Sequence, residues 1–131
     1  MADKVAFELV SPEKLLLSAK ADMVTIPGTE GYMGVMAGHA ATVTTLRAGM
    51  IDVQADGRDD RYFIRGGFAE INASKITVLA DEAIPMTEMD LAVLDQRISD
   101  AQEDEMAAQT DAARQKAAQL VDDLKLVRAA F

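Results

Sequence analysis

The chain of 131 residues has no cysteine, a single histidine, no long apolar run, and neither glycine nor proline after Thr87. Each absence removes a class of protein. Without cysteine there is no disulfide framework and no thiolate metal site, and the chain needs no oxidising compartment. With only His39, a zinc site would have to lean on carboxylates alone, so neither a metal nor any other cofactor is expected. Nowhere do eighteen apolar residues run together, and charges at Asp3 and Lys4 fall where a signal peptide would carry its apolar centre. The chain therefore reads as soluble and cytosolic. Surplus positive charge is missing too: the net charge is −9 and the pI near 4.5. Nucleic-acid phosphates and anionic lipid are repelled, which leaves a membrane reachable only through another protein.

What is present changes in kind near Pro85. All eight glycines lie before residue 70 and all three prolines before Thr87, among short alternating runs of β-branched and aromatic residues; beyond that point Ala, Leu, Gln, Asp and Glu dominate. The switch predicts an all-β N-terminal sandwich or flattened barrel over residues 1–86, followed by a C-terminal antiparallel α-helical hairpin over 87–131. In VAFELV, Val5, Phe7 and Leu9 share one face of a half-buried strand. DMVTIP is a second strand, ended by Pro27 and Gly28. Asp56-Gly57 marks the tip of a hairpin whose arms carry Met50, Ile51 and Val53, then Tyr62, Phe63 and Ile64. Two further arms flank Asn72, Ala73 and Ser74. Many turns and no intervening helix favour antiparallel pairing.

In the second unit Thr87 and Asp90 form a capping-box pattern, and Leu91, Leu94, Ile98 and Ala101 follow as one apolar stripe. A second start near residues 109–111 precedes the stripe Ala117, Leu120, Val121, Leu124 and Val127. Such narrow stripes predict a hairpin that must dock on something, and hence an element able to move.

The stretch IPGTEGYMGVMAGHA, residues 26–40, packs Gly28, Gly31, Gly34, Gly38 and His39 together. It lacks the lysine and the following helix of a phosphate loop, and its glycine spacing is not that of a dinucleotide fingerprint. Glycine here serves positive φ and close backbone approach at strand corners. His39 has no sequence neighbour suited to activate a nucleophile, so a hydrogen-bonded or partner-facing histidine is the favoured reading over a base. Asp59-Asp60, placed in a turn, and Asp122-Asp123, placed on an outer helix face, read as solvated pairs rather than acid catalysts.

Taken in order, PGTEGYMGVMAGHA, LRAGMI, GGFAEI and ITVLADEA resemble the epsilon subunit of bacterial F-type ATP synthases over residues 5–85. Ala37, Ala41 and Ala48 stand where that family favours proline. The resemblance implies a non-catalytic rotor part: a sandwich that grips the gamma subunit and rests on the c-ring, at the cytoplasmic face of the inner membrane. By motif position it implies that Glu30, Tyr32 and His39 meet gamma or the ring, with Ser11 on the gamma-facing side. Tyr32 stands where several relatives carry an acid. In some relatives the hairpin inhibits hydrolysis by reaching the alpha and beta subunits, and Arg114, Lys116, Lys125 and Arg128 would carry such a contact here. Opposed by Asp111, Asp122 and Asp123, they predict weak inhibition at most. The family's ATP-binding stretch, [IL]DxxRA, fits neither at Leu91 nor at Leu94, because Arg97 comes one residue early. Little or no ATP binding is expected. Two other readings remain open on the residues alone: a small-molecule-binding regulatory sandwich, and a small β-barrel enzyme built on His39.

Overall fold

The computed structural model describes residues 3–131 and divides between Thr87 and Glu88 into two compact units, a β unit and a helical unit. The β unit contains eight strands: β1 (Val5–Val10), β2 (Leu15–Ala21), β3 (Met23–Gly28), β4 (Gly31–Val35), β5 (Thr42–Thr45), β6 (Gly49–Ala55), β7 (Arg58–Ile71) and β8 (Lys75–Pro85). Their order is β2-β1-β8-β7-β6-β3-β4, and β5 pairs with β7 off this path.

The long β7 and β8 let one sheet make two layers. The first half of β7 pairs with β6 and the second half with β5, while β8 follows it from Tyr62 to Ile71. Between the halves the ladder skips from Arg65 and Glu82 to Gly67 and Ala80, and Gly66 and Gly67 both have positive φ. At this corner the inward parity changes: Ile64 is buried before it, and Ala69 and Ile71 after it. Both halves of β7 thereby serve one core.

That core gathers Phe7 and Leu9 from β1, Val24 and Ile26 from β3, Ile51 and Val53 from β6, and Ile76 and Val78 from β8. Each fully buried large side chain contributes about 1.5–3 kcal/mol relative to exposure. The alternation of Val5, Phe7 and Leu9 is reproduced, with all three fully buried. So is the hairpin tip, where Asp56 and Gly57 take φ values of 53° and 78°.

Several expectations need correction. Pairing is not wholly antiparallel, since β1 runs parallel to β8 from Ala6↔Lys75 to Val10↔Leu79. No hairpin links those two strands, so no short connection forces them to run oppositely. Residues 26–35 are mostly strand rather than corners; the two-residue turn Thr29-Glu30 is the only break, with β3 and β4 paired on either side. Asp59 and Asp60 lie on β7, not in a turn, because the hairpin closes within Asp56-Gly57.

At one end of the sandwich, Lys4 Nζ sits 2.6 Å from Asp22 and 2.7 Å from Asp56, tying the start of β1 to two turns. The Lys4 bond and the Asp56 N–H hold the Asp22 carboxyl below its usual range. Asp52 on β6 behaves oppositely. Its Oδ1 is buried without a hydrogen-bond partner and its Oδ2 lies 3.6 Å from Arg61 Nε. Burial, and then the nearby Asp59, push its carboxyl above the ordinary value. A folded-state value above the unfolded one favours the fold only while the acid is protonated, so stability is lost as pH rises through it. Asp52→Asn should raise stability at neutral pH by about 1 kcal/mol, with the gain vanishing towards pH 4. Thermal melts of the two proteins across that range check it, and an unchanged or lower melting temperature at pH 7 would refute it.

The helical unit follows a 3-10 turn, Met86–Glu88. It comprises α1 (Leu91–Ala107) and α2 (Asp111–Arg128). Asp90, not Thr87, caps α1: its side chain accepts from Ala92 N at 2.8 Å, because the 3-10 turn carries Thr87 outside the helix. Thr110 caps α2 through Ala113 N at 3.1 Å. Arg128 Nε donates to Asp95 at 2.7 Å, joining the end of α2 to the start of α1 in an antiparallel hairpin. Of the first predicted stripe, Leu94 and Ala101 are buried while Leu91 stays exposed; Val121, Leu124 and Val127 are buried from the second. Asp123 is also buried rather than outward, accepting from Gln119 Nε2 at 3.0 Å on the helix turn before it.

Candidate functional site

Glu30 and Tyr32 arrive together because the β3–β4 turn is only two residues long. Gly31, at φ 134°, opens the returning strand where a side chain would be strained. Glu30 is exposed at the turn, and Tyr32 projects from β4 about half exposed. The Tyr32 hydroxyl accepts from Met50 N at 3.1 Å. That amide needs an acceptor because Pro27, next along β3, turns its carbonyl to Arg47 N at 2.9 Å instead. Glu30 and Tyr32 border a groove of about 700 Å³ with Thr29, Met33 and the whole of β5, Thr42 to Thr45.

The other two motif residues stand apart. Ser11 follows β1 in a turn where its N–H donates to Lys14 O at 3.0 Å. His39 lies in the loop between β4 and β5, its Nδ1 donating to the carbonyl of Ala40 at 2.8 Å. Strand register separates them: Ser11 is at the Val10↔Leu79 end of β1 and β8, and β5, which His39 precedes, begins at Thr42↔Ile71 on the opposite end. Among the described residues, no group of three or more His, Asp or Glu side chains stands where it could hold a metal ion. The imidazole of His39 is thus oriented by main chain rather than by a carboxylate.

Register also exposes a feature that motif spacing does not carry. Thr45, Phe68, Leu79, Val10 and Leu15 are successive cross-strand partners over β5, β7, β8, β1 and β2. They point outward, since their neighbours Ala69, Val78 and Leu9 are buried. Phe68, Leu79 and Leu15 remain 41%, 38% and 56% exposed, and Val43, on the same face of β5, is 70% exposed. Contiguous exposed apolar rows of this kind are characteristic of docking surfaces. The signal available in the sequence was weak: in ITVLA, Leu79 is apolar at an outward position, which breaks the alternation of a half-buried strand.

On the hairpin, two of the four cations are engaged internally. Arg114 Nη1 lies 3.0 Å from Asp111 and its Nη2 donates to Ala108 O at 3.3 Å, while Arg128 holds Asp95. Lys116 and Lys125 are exposed. Asp95, at one of the positions tested for an ATP motif, is the carboxylate that Arg128 holds.

Residues 4–86 match the family model described as ATP synthase, Delta/Epsilon chain, beta-sandwich domain. The ATP synthase epsilon chain of Parvibaculum lavamentivorans is 48% identical over 129 residues, covering 98% of each chain. That of Maricaulis maris is 44% identical, covering 98% of this chain and 97% of its own. Among solved structures, a chain in the Euglena gracilis mitochondrial ATP synthase assembly of OSCP, F1 and c-ring superposes with a TM-score of 0.80 at 28% identity, over 98% of this chain and 81% of that one. One in the Tetrahymena thermophila mitochondrial ATP synthase central stalk and c-ring matches in fold, with a TM-score of 0.66 at 13% identity over 95% and 96% of the two chains.

Proposed function

Since the chain belongs to the ATP synthase epsilon-chain family, we propose that its sandwich couples ring to shaft through two separate surfaces. The protein is a non-catalytic central-stalk subunit of ATP synthase, associated with that membrane-bound complex, and among the described residues no helix is long and apolar enough to cross a membrane. Gamma seats on the outward row of Phe68, Leu79, Val10 and Leu15, with Ser11 at its edge. The polar β3–β4 turn, with Glu30 and Tyr32, reaches the loops of the c-ring, and His39 contacts the neighbouring protein from the opposite end. The complex lies at the cytoplasmic face of the bacterial inner membrane.

The single observation that carries this reading is the exposed apolar row on a sheet face. A coupling that transmits torque needs a stiff scaffold with an extended contact, and five hydrogen-bonded strands carrying an apolar row provide one. The hairpin gives at most weak inhibition through the alpha and beta subunits, because Arg114 and Arg128 would have to leave the carboxylates of Asp111 and Asp95.

The test is retention of the purified chain by catalytic-head complexes that contain gamma but have been stripped of epsilon. One chain retained per gamma is the expected result. A folded chain that an intact complex does not retain would overturn the gamma contact.

A further inference from the structure

The outer face of β5, β7, β8, β1 and β2 carries a second row beside the apolar one. Two residues along the strands from Thr45, Phe68, Leu79 and Val10 stand Val43, Glu70, Thr77 and Glu8, successive cross-strand partners in the same registers, and Ser18 on β2 completes them. Alternation puts them on the outward side, because Ile71, Ile76, Val78 and Leu9 beside them in the chain are buried.

This row holds two acids within reach of one lysine. Glu70 and Glu8 flank Thr77 from either side, about 10 Å apart across two strand spacings, and Lys75 lies two residues before Thr77 on the strand between them. Lys75 is committed to one of the two, its Nζ 3.2 Å from Glu8 Oε1. Among the described residues Glu70 has no ion-pair partner, and it is exposed. Past the other border of the apolar row, Asp81 stands at the corner where β7 and β8 change their buried face, with its carboxylate against Gly66. The flat part of the face therefore carries its unpaired negative charge on one side of the row only.

The surroundings of Glu70 suit one kind of occupant. Phe68, two residues before it on β7, and Val43, opposite it on β5, are among the exposed apolar side chains of this face. Apolar surface beside a carboxylate accommodates a long aliphatic stem that ends in a cation, and the ring of Phe68 adds attraction for a guanidinium. Burial of an apolar row is non-directional, so the row by itself lets a partner slide along the strands or seat the other way round. A charge on one border removes that freedom.

We propose that Glu70 is a specificity-determining residue of the gamma-facing surface: it pairs with a lysine or arginine of gamma whose stem lies over Phe68 and Val43, and so fixes where along the strands gamma seats. The proposal rests on the stalk reading above. Lys75 keeps Glu8 neutralised, which leaves a single point of charge for the partner to find.

The experiment measures the affinity of the full chain for gamma-containing head complexes stripped of epsilon, at low and at high salt, with three substitutions. Glu70→Gln keeps the shape and removes the charge; it should weaken binding about ten-fold at low salt, with the difference closing at high salt as the pair is screened. Lys75→Gln frees Glu8 and should tighten binding at low salt by about two-fold or more, a gain that loss of a structural contact would not give. Asp81→Asn removes the same unit of charge beyond the other border and should change binding by less than about two-fold. Glu70→Gln binding within about two-fold of the unsubstituted chain, or weakened equally at both salts, would overturn the ion pair and leave the stalk reading standing. Equal losses for Glu70→Gln and Asp81→Asn would overturn the one-sided placement, and weaker binding by Lys75→Gln would overturn the role given to Lys75. If the unsubstituted chain is not retained at all, the stalk contact and the ion pair fail together.

Discussion

Gly67→Ala is expected to prevent folding of the sandwich, at a cost above about 4 kcal/mol, in a range where single substitutions are exceptional. Gly67 has φ 110°, outside what a residue with a side chain adopts without strain. A Cβ there would lie 2.1 Å from Leu79 O and 2.8 Å from Ala80 Cα, both main chain of the partnered strand. Neither can yield without breaking the β7–β8 ladder at the corner where both strands change their buried face. Since a domain of this size is stable by only about 5–15 kcal/mol, most or all of the margin goes. Gly57→Ala is the internal comparison: φ is also positive, at 78°, yet nothing lies within 4 Å of the added carbon. Only the conformational term of about 1–2 kcal/mol applies there. Urea unfolding of both variants checks the contrast, and a loss below about 1 kcal/mol at Gly67 would mean that the corner relaxes freely.

Leu79→Glu should abolish retention by gamma-containing complexes while leaving the isolated chain folded. Leu79 is the middle of the outward row, flanked by Phe68 on one side and Val10 on the other. A carboxylate placed there would lose its water on docking and meet only apolar neighbours, which costs about 3 kcal/mol or more, a factor of a hundred in affinity. In the free chain the position is 38% exposed. Substitutions at such surface positions stay within about 0.5 kcal/mol. Paired melts and binding titrations separate the two effects. Retention within about three-fold of the unsubstituted chain would move the gamma contact to another face.

Physical locality explains what could be read from the chain and what could not. The β1 face was legible because Val5, Phe7 and Leu9 need only their own period, and the Asp56-Gly57 tip because two residues suffice to set positive φ. β2 was not, because LLLSAKA opens with an outward leucine and its register slips opposite Leu9 and Val10. β4 was hidden by its glycines, which suggest turns although Gly34 sits in an extended strand beside the Met23 thioether. The candidate surface divides the same way. Glu30 and Tyr32 are together in space because they are together in sequence, whereas Ser11 and His39 are parted by the length of a strand. The row from Thr45 to Leu15 is assembled from five strands, and no local pattern encodes a register that long-range pairing decides.

The parallel pairing of β1 with β8 also sets the order in which the protein can come into being. Ala6 must wait for Lys75, about 70 residues later, before one edge of the first strand is satisfied. On the ribosome the earlier hairpins can form as they emerge, but the sheet that carries the outward apolar row lacks its middle strand until β8 is out. Contacts this distant make for slow closure. They also mean that a chain interrupted anywhere before its eighth strand cannot assemble the outward row at all, because β8 is the strand that joins β7 to β1.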